Sequence, residues 1–182
     1  EPMITINTGD GTIQQAKNWI EYMIGSINTK YGKLRYKNGR KNPYELQTIF
    51  IGNEMFGGWQ IGHTDPITYA NKYNSFVKEL KKLNKKLRFI AVGACSDHFG
   101  HWNEYVLKNI KEKIDELSVH YYSIRTEKDK KHPDYKTRYI PTVAAATEVR
   151  LMLDRTIREI KKYSNKNIKI CLLYTSDAAD DP

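Results

Sequence analysis

At 182 residues the chain falls within the usual size of one domain, with 40% hydrophobic residues and 30 Lys and Arg against 21 Asp and Glu, a formal charge of +9. Exchanging its 13 Tyr for its 11 Gly, to match the usual reference set, leaves an apolar share of about 39%, under the ~45–50% of ordinary soluble domains, so the expected core is modest. No run approaches the ~18 apolar residues of a membrane-spanning helix, and two cysteines, Cys95 and Cys171, exclude a disulfide scaffold.

Strand and helix signals alternate along the chain. Pro2–Asn7 is a short strand ending in the turn Thr8-Gly9-Asp10-Gly11, and Ile13–Ile27 follows as a helix with Ala16, Ile20, Met23, Ile24 and Ile27 on one side. Asn28–Tyr44 reads as a polar connection. Leu46–Gly52 is a nearly continuous apolar strand of the kind buried on both faces in parallel sheets. Asp65-Pro66 is an N-cap followed by proline at the first helical position, with Tyr69, Tyr73, Phe76, Val77, Leu80 and Leu83 at helical spacing behind it. Leu87–Gly93 is a third strand, Asn103–Ile114 a third helix and Glu116–Tyr121 a fourth strand. Ser123–Tyr139 reads as a long charged loop, Pro141–Tyr163 as a long helix and Asn167–Leu173 as the start of a fifth strand.

Such alternation predicts a parallel sheet with helical crossovers. Strands begin roughly 41 residues apart, and eight such units would need about 330 residues, within the range of a (β/α)8 barrel. A doubly wound open sheet fits a count of four and a half units better and is the fold alternative, although no glycine-rich phosphate fingerprint follows any strand. The positive charge raises nucleic acid as a partner. Its placement argues otherwise: Lys78, Lys81, Lys82, Lys85 and Lys86 fall on or just after one amphipathic helix, and Lys161, Lys162 and Lys166 crowd the end of another, where cations meet the helix dipole.

The apolar strands end in Asn7-Thr8-Gly9, Asn53-Glu54, Cys95-Ser96-Asp97-His98 and His120-Tyr121-Tyr122. In an α/β barrel all four endings share the face that carries the chemistry. Glu54 would sit at the rim of a low-dielectric core, where burial raises a carboxyl pKa and suits it to donate a proton near neutral pH. Asn53 beside it can donate to and accept from a hydroxylated ligand. Trp59, Trp102 and Tyr122 are candidate sugar-stacking walls. His63, His98 and His101 with Asp97 lack a compact zinc spacing, so no metal is expected.

The run IGNEMFGGWQIGH (Ile51–His63) resembles the acid/base segment of glycoside hydrolase family 51, the α-L-arabinofuranosidases. The likeness extends over nearly all of residues 1–170, through EPMITINTGDGT, NPYEL, RFIAVGA, WNEYVL, LSVHYY and AAATEVRLML. The resemblance implies a (β/α)8 barrel of which this chain supplies about strands 3 to 7 with their helices, the fourth delivering Asn53 and Glu54. By the same likeness Glu54 is the general acid/base and Asn53 holds the hydroxyl beside the anomeric carbon. His120 and Tyr122 match the sixth-strand pair that supports the nucleophile and lines the sugar site, and Trp59 lies close to the acid/base loop. The implied reaction is retaining hydrolysis of terminal arabinofuranosyl groups from an arabinose-containing oligo- or polysaccharide, without cofactor, through two carboxyls about 5–5.5 Å apart. Family habit favours a homo-oligomer, and the cytoplasm over secretion. Another retaining barrel glycosidase, acting on xylan or glucan, is the nearest alternative; the Trp59–His63 extension argues against it.

Three features depart from the pattern. Ile49-Phe50 stands where the family usually has Trp-Glu, Phe56 occupies a position that varies among members, and the expected Asp-Glu-Trp nucleophile segment after Ile170 is replaced by CLLYTSDAADDP. Composition shifts there from Lys-rich to a stretch with three Asp and no Lys or Arg, and Cys171–Asp180 reads as the in-frame translation of a sequencing-library adapter. Residues 1–170 are therefore expected to be a piece of a catalytic barrel, with a charge of +12 from 30 basic and 18 acidic residues, and 171–182 a non-native tail. Glu1-Pro2, without a start Met or a signal-like stretch, fits an internal piece. Such a chain is expected to be inactive alone and poorly soluble, because missing strands leave sheet edges open.

Overall fold

Local sequence decides the elements, and the computed structural model describes them over residues 2–95, 99–122 and 135–173. β1 (Met3–Ile6) leads to α1 (Ile13–Ile24) and α2 (Lys30–Lys37), β2 (Thr48–Ile51) to α3 (Pro66–Leu80), and β3 (Arg88–Val92) to α4 (Trp102–Asn109). β4 (Glu116–His120) is followed by α5 (Tyr135–Tyr163) and then β5 (Lys169–Leu173).

All four strand pairings are parallel, and spatial order equals chain order, β1-β2-β3-β4-β5. A doubly wound sheet reverses direction at a switch point and cannot give this order. Sequential parallel pairing is the arc of an α/β barrel wall, so the open-sheet alternative is overturned.

Register explains the two faces, since neighbouring residues of a strand point to opposite sides. One row runs Ile6, Ile51, Ala91, Leu117 and Ile170 across all five strands. It packs in one cluster with Ala16, Ile20, Tyr69, Val77, Leu80 and Val106 from the helices. The adjacent row runs Thr5, Phe50, Ile90, Glu116 and Lys169 and is mixed in character. On that face Glu116 is buried and paired with Arg88, a pattern suited to a barrel interior filled by layers of side chains.

Several boundaries differ from expectation. α1 opens on a capping box between Thr12 and Gln15 but stops at Ile24, because Gly25 turns extended and donates its N–H back to Glu21. The connection expected over Asn28–Tyr44 contains α2, whose sequence KYGKLRYK carries no apolar stripe to announce it. What holds it is Arg35, fully buried, whose guanidinium donates to the carbonyls of Tyr22 (2.7 Å), Gly25 (2.8 Å) and Lys41 (3.1 Å). α4 ends a turn early at Asn109: Ile110 is extended, and the Asn74 side chain accepts from the N–H groups of Lys111 and Glu112 at 2.9 and 3.1 Å. α5 begins at Tyr135, so the end of the expected Ser123–Tyr139 loop is helical and residues 123–134 of it lie outside the described residues.

Three of these lysines make contacts within the fold. Lys81 pairs with Glu112 and Lys82 with Glu79, both at 2.5 Å. Lys166 donates to the carbonyls of Glu112 (2.8 Å) and Ile110 (3.1 Å), and burial, with Lys111 nearby, lowers its pKa. β5 pairs with β4 as far as Leu173 opposite His120. The boundary expected at Ile170 is therefore not marked by the end of a strand; an apolar Cys-Leu-Leu can extend a ladder whatever its origin.

Candidate active site

β2 delivers its carboxyl end through a left-handed step. Gly52 has φ +83°, a conformation open to glycine, and a Cβ there would stand 2.4 Å from the Thr8 hydroxyl. Glu54 also has a positive φ, +44°, which is costly for a residue with a side chain and is maintained only where the surroundings enforce it. Here the enforcing contacts are at the carboxylate. Oε1 lies 2.6 Å from His120 Nδ1, and Oε2 accepts from Trp59 Nε1 at 2.9 Å. The His120 and Glu54 side chains are only 6% and 13% exposed. Residues 66 apart in sequence thus meet because β2 and β4 point the same way.

This arrangement corrects one expectation. The His120 hydrogen bond is the largest influence on Glu54 and, joined by bonds from Trp59 and Gln60 and the His120 charge, holds its carboxyl below the ordinary value against the opposing effect of burial. Burial does act in the anticipated direction, but donors placed on both oxygens outweigh it.

The other anticipated residues divide. Trp59 is 65% exposed, with its ring edge-on to Phe56 and Phe99 at centroid distances of 6.2 and 6.4 Å. Asn53 is half-buried next to Glu54, and Tyr122 is half-buried two residues past β4. Trp102 is not a sugar wall: it is 2% exposed, and its Nε1 donates to the Val92 carbonyl at 2.8 Å. An indole in the helix-facing core packs best when its one N–H finds a backbone acceptor. His63 is exposed and His101 caps α4 in a left-handed conformation, while Asp97 and His98 lie outside the described residues. Among the described residues no three His, Cys, Asp or Glu side chains gather in a metal-sized cluster.

Sequence reasoning passed over Gln60, the third donor to Glu54. Thr8, one of the polar strand endings, is 2% exposed; its hydroxyl contacts Met55 Sδ at 3.3 Å and its carbonyl accepts from Lys72 at 2.7 Å. No local periodicity marks Gln60, whereas its place directly after an apolar strand marks Thr8.

A strand-end carboxylate is thus held by a histidine two strands away, on the carboxyl side of an arc of α/β barrel wall. The family model described as "Alpha-L-arabinofuranosidase 1 domain" matches residues 3–140. The chain belongs to that family. A probable alpha-L-arabinofuranosidase C of Aspergillus clavatus is 39% identical over 109 residues, covering 60% of this chain and 21% of the relative. An intracellular exo-alpha-L-arabinofuranosidase of Bacteroides ovatus is 28% identical over 176 residues, 95% of this chain and 34% of its own length. The crystal structure of the arabinose complex of Thermotoga maritima alpha-L-arabinofuranosidase superposes with a TM-score of 0.81 at 30% identity, over 100% of this chain and 37% of that one. The GH51 alpha-L-arabinofuranosidase of Thermotoga petrophila gives 0.80 at 31% identity, over 96% and 34%. The chain thus spans between about a fifth and two fifths of these relatives.

Proposed function

We propose that residues 1–170 form about the third to seventh strands, with their helices, of the catalytic barrel of a retaining α-L-arabinofuranosidase, and that 171–182 are a non-native tail. The observation that carries the reading is the Glu54 carboxylate at the end of β2, 2.6 Å from His120 at the end of β4. Family membership of residues 3–140 supports it. The substrate class is an arabinose-containing oligo- or polysaccharide, and the whole enzyme is proposed to be a homo-oligomer.

In this mechanism Glu54 gives its proton to the leaving glycosidic oxygen while a second carboxylate attacks the anomeric carbon. Asn53 holds the adjacent sugar hydroxyl, Tyr122 lines the sugar site, and Trp59 flanks the acid/base. Glu54, now ionised, then takes a proton from the water that releases the sugar. A carboxylate needs to be protonated for the first step, and its present donors oppose that. The second carboxylate about 5–5.5 Å away supplies the missing influence, because a like charge raises the pKa of its neighbour.

In the full-length enzyme Glu54→Ala should reduce kcat/KM strongly for substrates with poor leaving groups and far less for activated aryl arabinofuranosides. Azide should restore turnover by attacking the glycosyl-enzyme to give an arabinofuranosyl azide of retained configuration. Undiminished hydrolysis by the variant would reject Glu54 as the acid/base. The 182-residue chain alone, whose sequence runs into CLLYTSDAADDP where the Asp-Glu-Trp nucleophile segment is expected, should release no arabinose from an aryl arabinofuranoside.

A further inference from the structure

The loop that carries Glu54 and Trp59 has a support on its far side that the chemistry above does not use. The turn after β1 and the limb Ile61-Gly62 meet backbone to backbone. A Cβ on Gly9 would lie 2.4 Å from the Ile61 carbonyl oxygen, and one on Gly62 would lie 2.4 Å from the Gly9 Cα. Neither position tolerates a side chain, because backbone atoms and not a flexible side-chain tip stand in the way. Gly62 also has φ +79°, whereas Gly9 is not in the left-handed region; only the close approach requires glycine at position 9.

The turn is itself anchored. The Thr8 carbonyl accepts from Lys72 of α3 at 2.7 Å, and the buried Thr8 hydroxyl lies against Met55 Sδ at 3.3 Å. The loop is tied down along its length: Thr64 N donates to Met55 O at 3.0 Å, Gln60 N to Gly57 O at 3.0 Å and His63 N to Gln60 O at 3.1 Å. Between these ties sits the indole that donates to Glu54. A Cβ on Gly57 would lie 2.3 Å from Trp59 Cε2, so the ring rests directly on that glycine. The β1 turn therefore bears on the segment Gln60–Gly62, next in sequence to Trp59, and through it on the donors to the Glu54 carboxylate.

We propose that Gly9 is a positioning residue for the acid/base: its missing side chain lets the β1 turn seat the loop so that Trp59 and Gln60 reach the Glu54 carboxylate. This rests on the reading of Glu54 as general acid/base. A methyl group at Gly9 must retreat by about 1 Å to reach ordinary contact with the Ile61 oxygen, and a misplacement of that size in a catalytic constellation can cost on the order of 10²-fold.

The test is the split between leaving groups in the full-length enzyme. Gly9→Ala should lower kcat/KM by roughly 10- to 100-fold for an alkyl or sugar aglycone, which needs proton donation. It should change that for a dinitrophenyl arabinofuranoside, which leaves unaided, by less than about threefold. The ratio of the two is independent of the folded fraction, so partial unfolding cannot imitate the effect. If Gly9→Ala yields no folded enzyme, Thr8→Val, which keeps the volume and removes the hydroxyl beside Gly52 and Met55, should show the same split on a smaller scale. Equal losses on both substrates, or none on either, would overturn the proposal. Glu54→Ala separates the two levels: if it shows no split, the acid/base reading fails, and if it splits while Gly9→Ala and Thr8→Val do not, only the positioning role falls.

Discussion

Tyr69→Phe isolates one buried hydroxyl that fastens the sheet directly beneath the site. Tyr69 lies on α3, wholly buried, and its hydroxyl donates to the Ile51 carbonyl and accepts from the Val92 N–H, both at 2.8 Å. It thereby ties the carboxyl end of β2, three residues before Glu54, to the end of β3. Phenylalanine keeps the ring contacts with Tyr73 and Trp102, at centroid distances of 6.2 and 5.3 Å, and removes only the oxygen. Each buried backbone group left unpaired costs about 1–3 kcal/mol, and a carbonyl tolerates the loss better than an N–H. The expected destabilisation is therefore about 2–4 kcal/mol. For a unit of this size that is a fall in Tm of roughly 5–15 °C, measured by paired thermal and urea melts. The urea m-value should be unchanged, since the exposed surface is the same. Tyr73→Phe is the internal standard: its hydroxyl donates to a single carbonyl, that of Lys113 at 2.9 Å, and its loss should cost about half as much. A Tyr69→Phe loss below about 1 kcal/mol, or one no larger than that of Tyr73→Phe, would refute the reasoning that two unsatisfied backbone groups set the cost.

Three further expectations concern the site and its scaffold. Trp59→Phe deletes the Nε1–H that helps to hold the Glu54 carboxyl low, so Glu54 should stay protonated to higher pH; the alkaline limb of the kcat/KM profile should move up, and a downward move would contradict the assignment. Because the folded-state pKa of Glu54 is lowered, its contribution to stability is present above the unfolded-state value and is lost as pH falls through the folded one. Glu54→Gln should accordingly be less sensitive to acid in melts across that window, and an identical pH dependence in variant and parent would count against the His120 and Trp59 bonds. Arg35→Met leaves the carbonyls of Tyr22, Gly25 and Lys41 without their donor and should cost about 2–4 kcal/mol, partly offset by removing a buried charge. Faster hydrogen exchange should appear first in α2, and an unaltered melt would disprove the role given to this side chain.

What the sequence made legible follows from how far each force reaches. The five strands and α3 were readable because apolar runs, Asp65 and Pro66 are local signals. Glu54, Asn53 and His120 stood out because they sit at or just beyond the ends of those runs, and Trp59 through the motif that carries the family resemblance. α2 was not readable: its stability comes from one arginine reaching carbonyls 10 and 13 residues back, and periodicity carries no trace of that. The end of α4 was set by Asn74 on another helix, and the fate of Trp102 by a carbonyl on β3. The sign of the shift at Glu54 was misjudged for the same reason. Burial can be inferred from a neighbouring apolar run, whereas the donors that overcame it come from a loop that folds back and from a strand 66 residues away.

The sequential strand order also bears on how the chain is made. Each strand pairs with the one preceding it in the sequence, and each helix packs near the unit that has just been completed, α3 on α1, α4 on α3 and α5 on α4. Contacts therefore close over one βα unit at a time, so ordering a new unit never waits on a distant partner, and loop-closure entropy stays small at each addition. A nascent chain emerging from the ribosome can grow this wall one strand at a time, with the newest strand presenting the edge onto which the next unit adds. The entropic difficulty of such a barrel is deferred to its closure, when the last strand must find the first across the whole length of the chain.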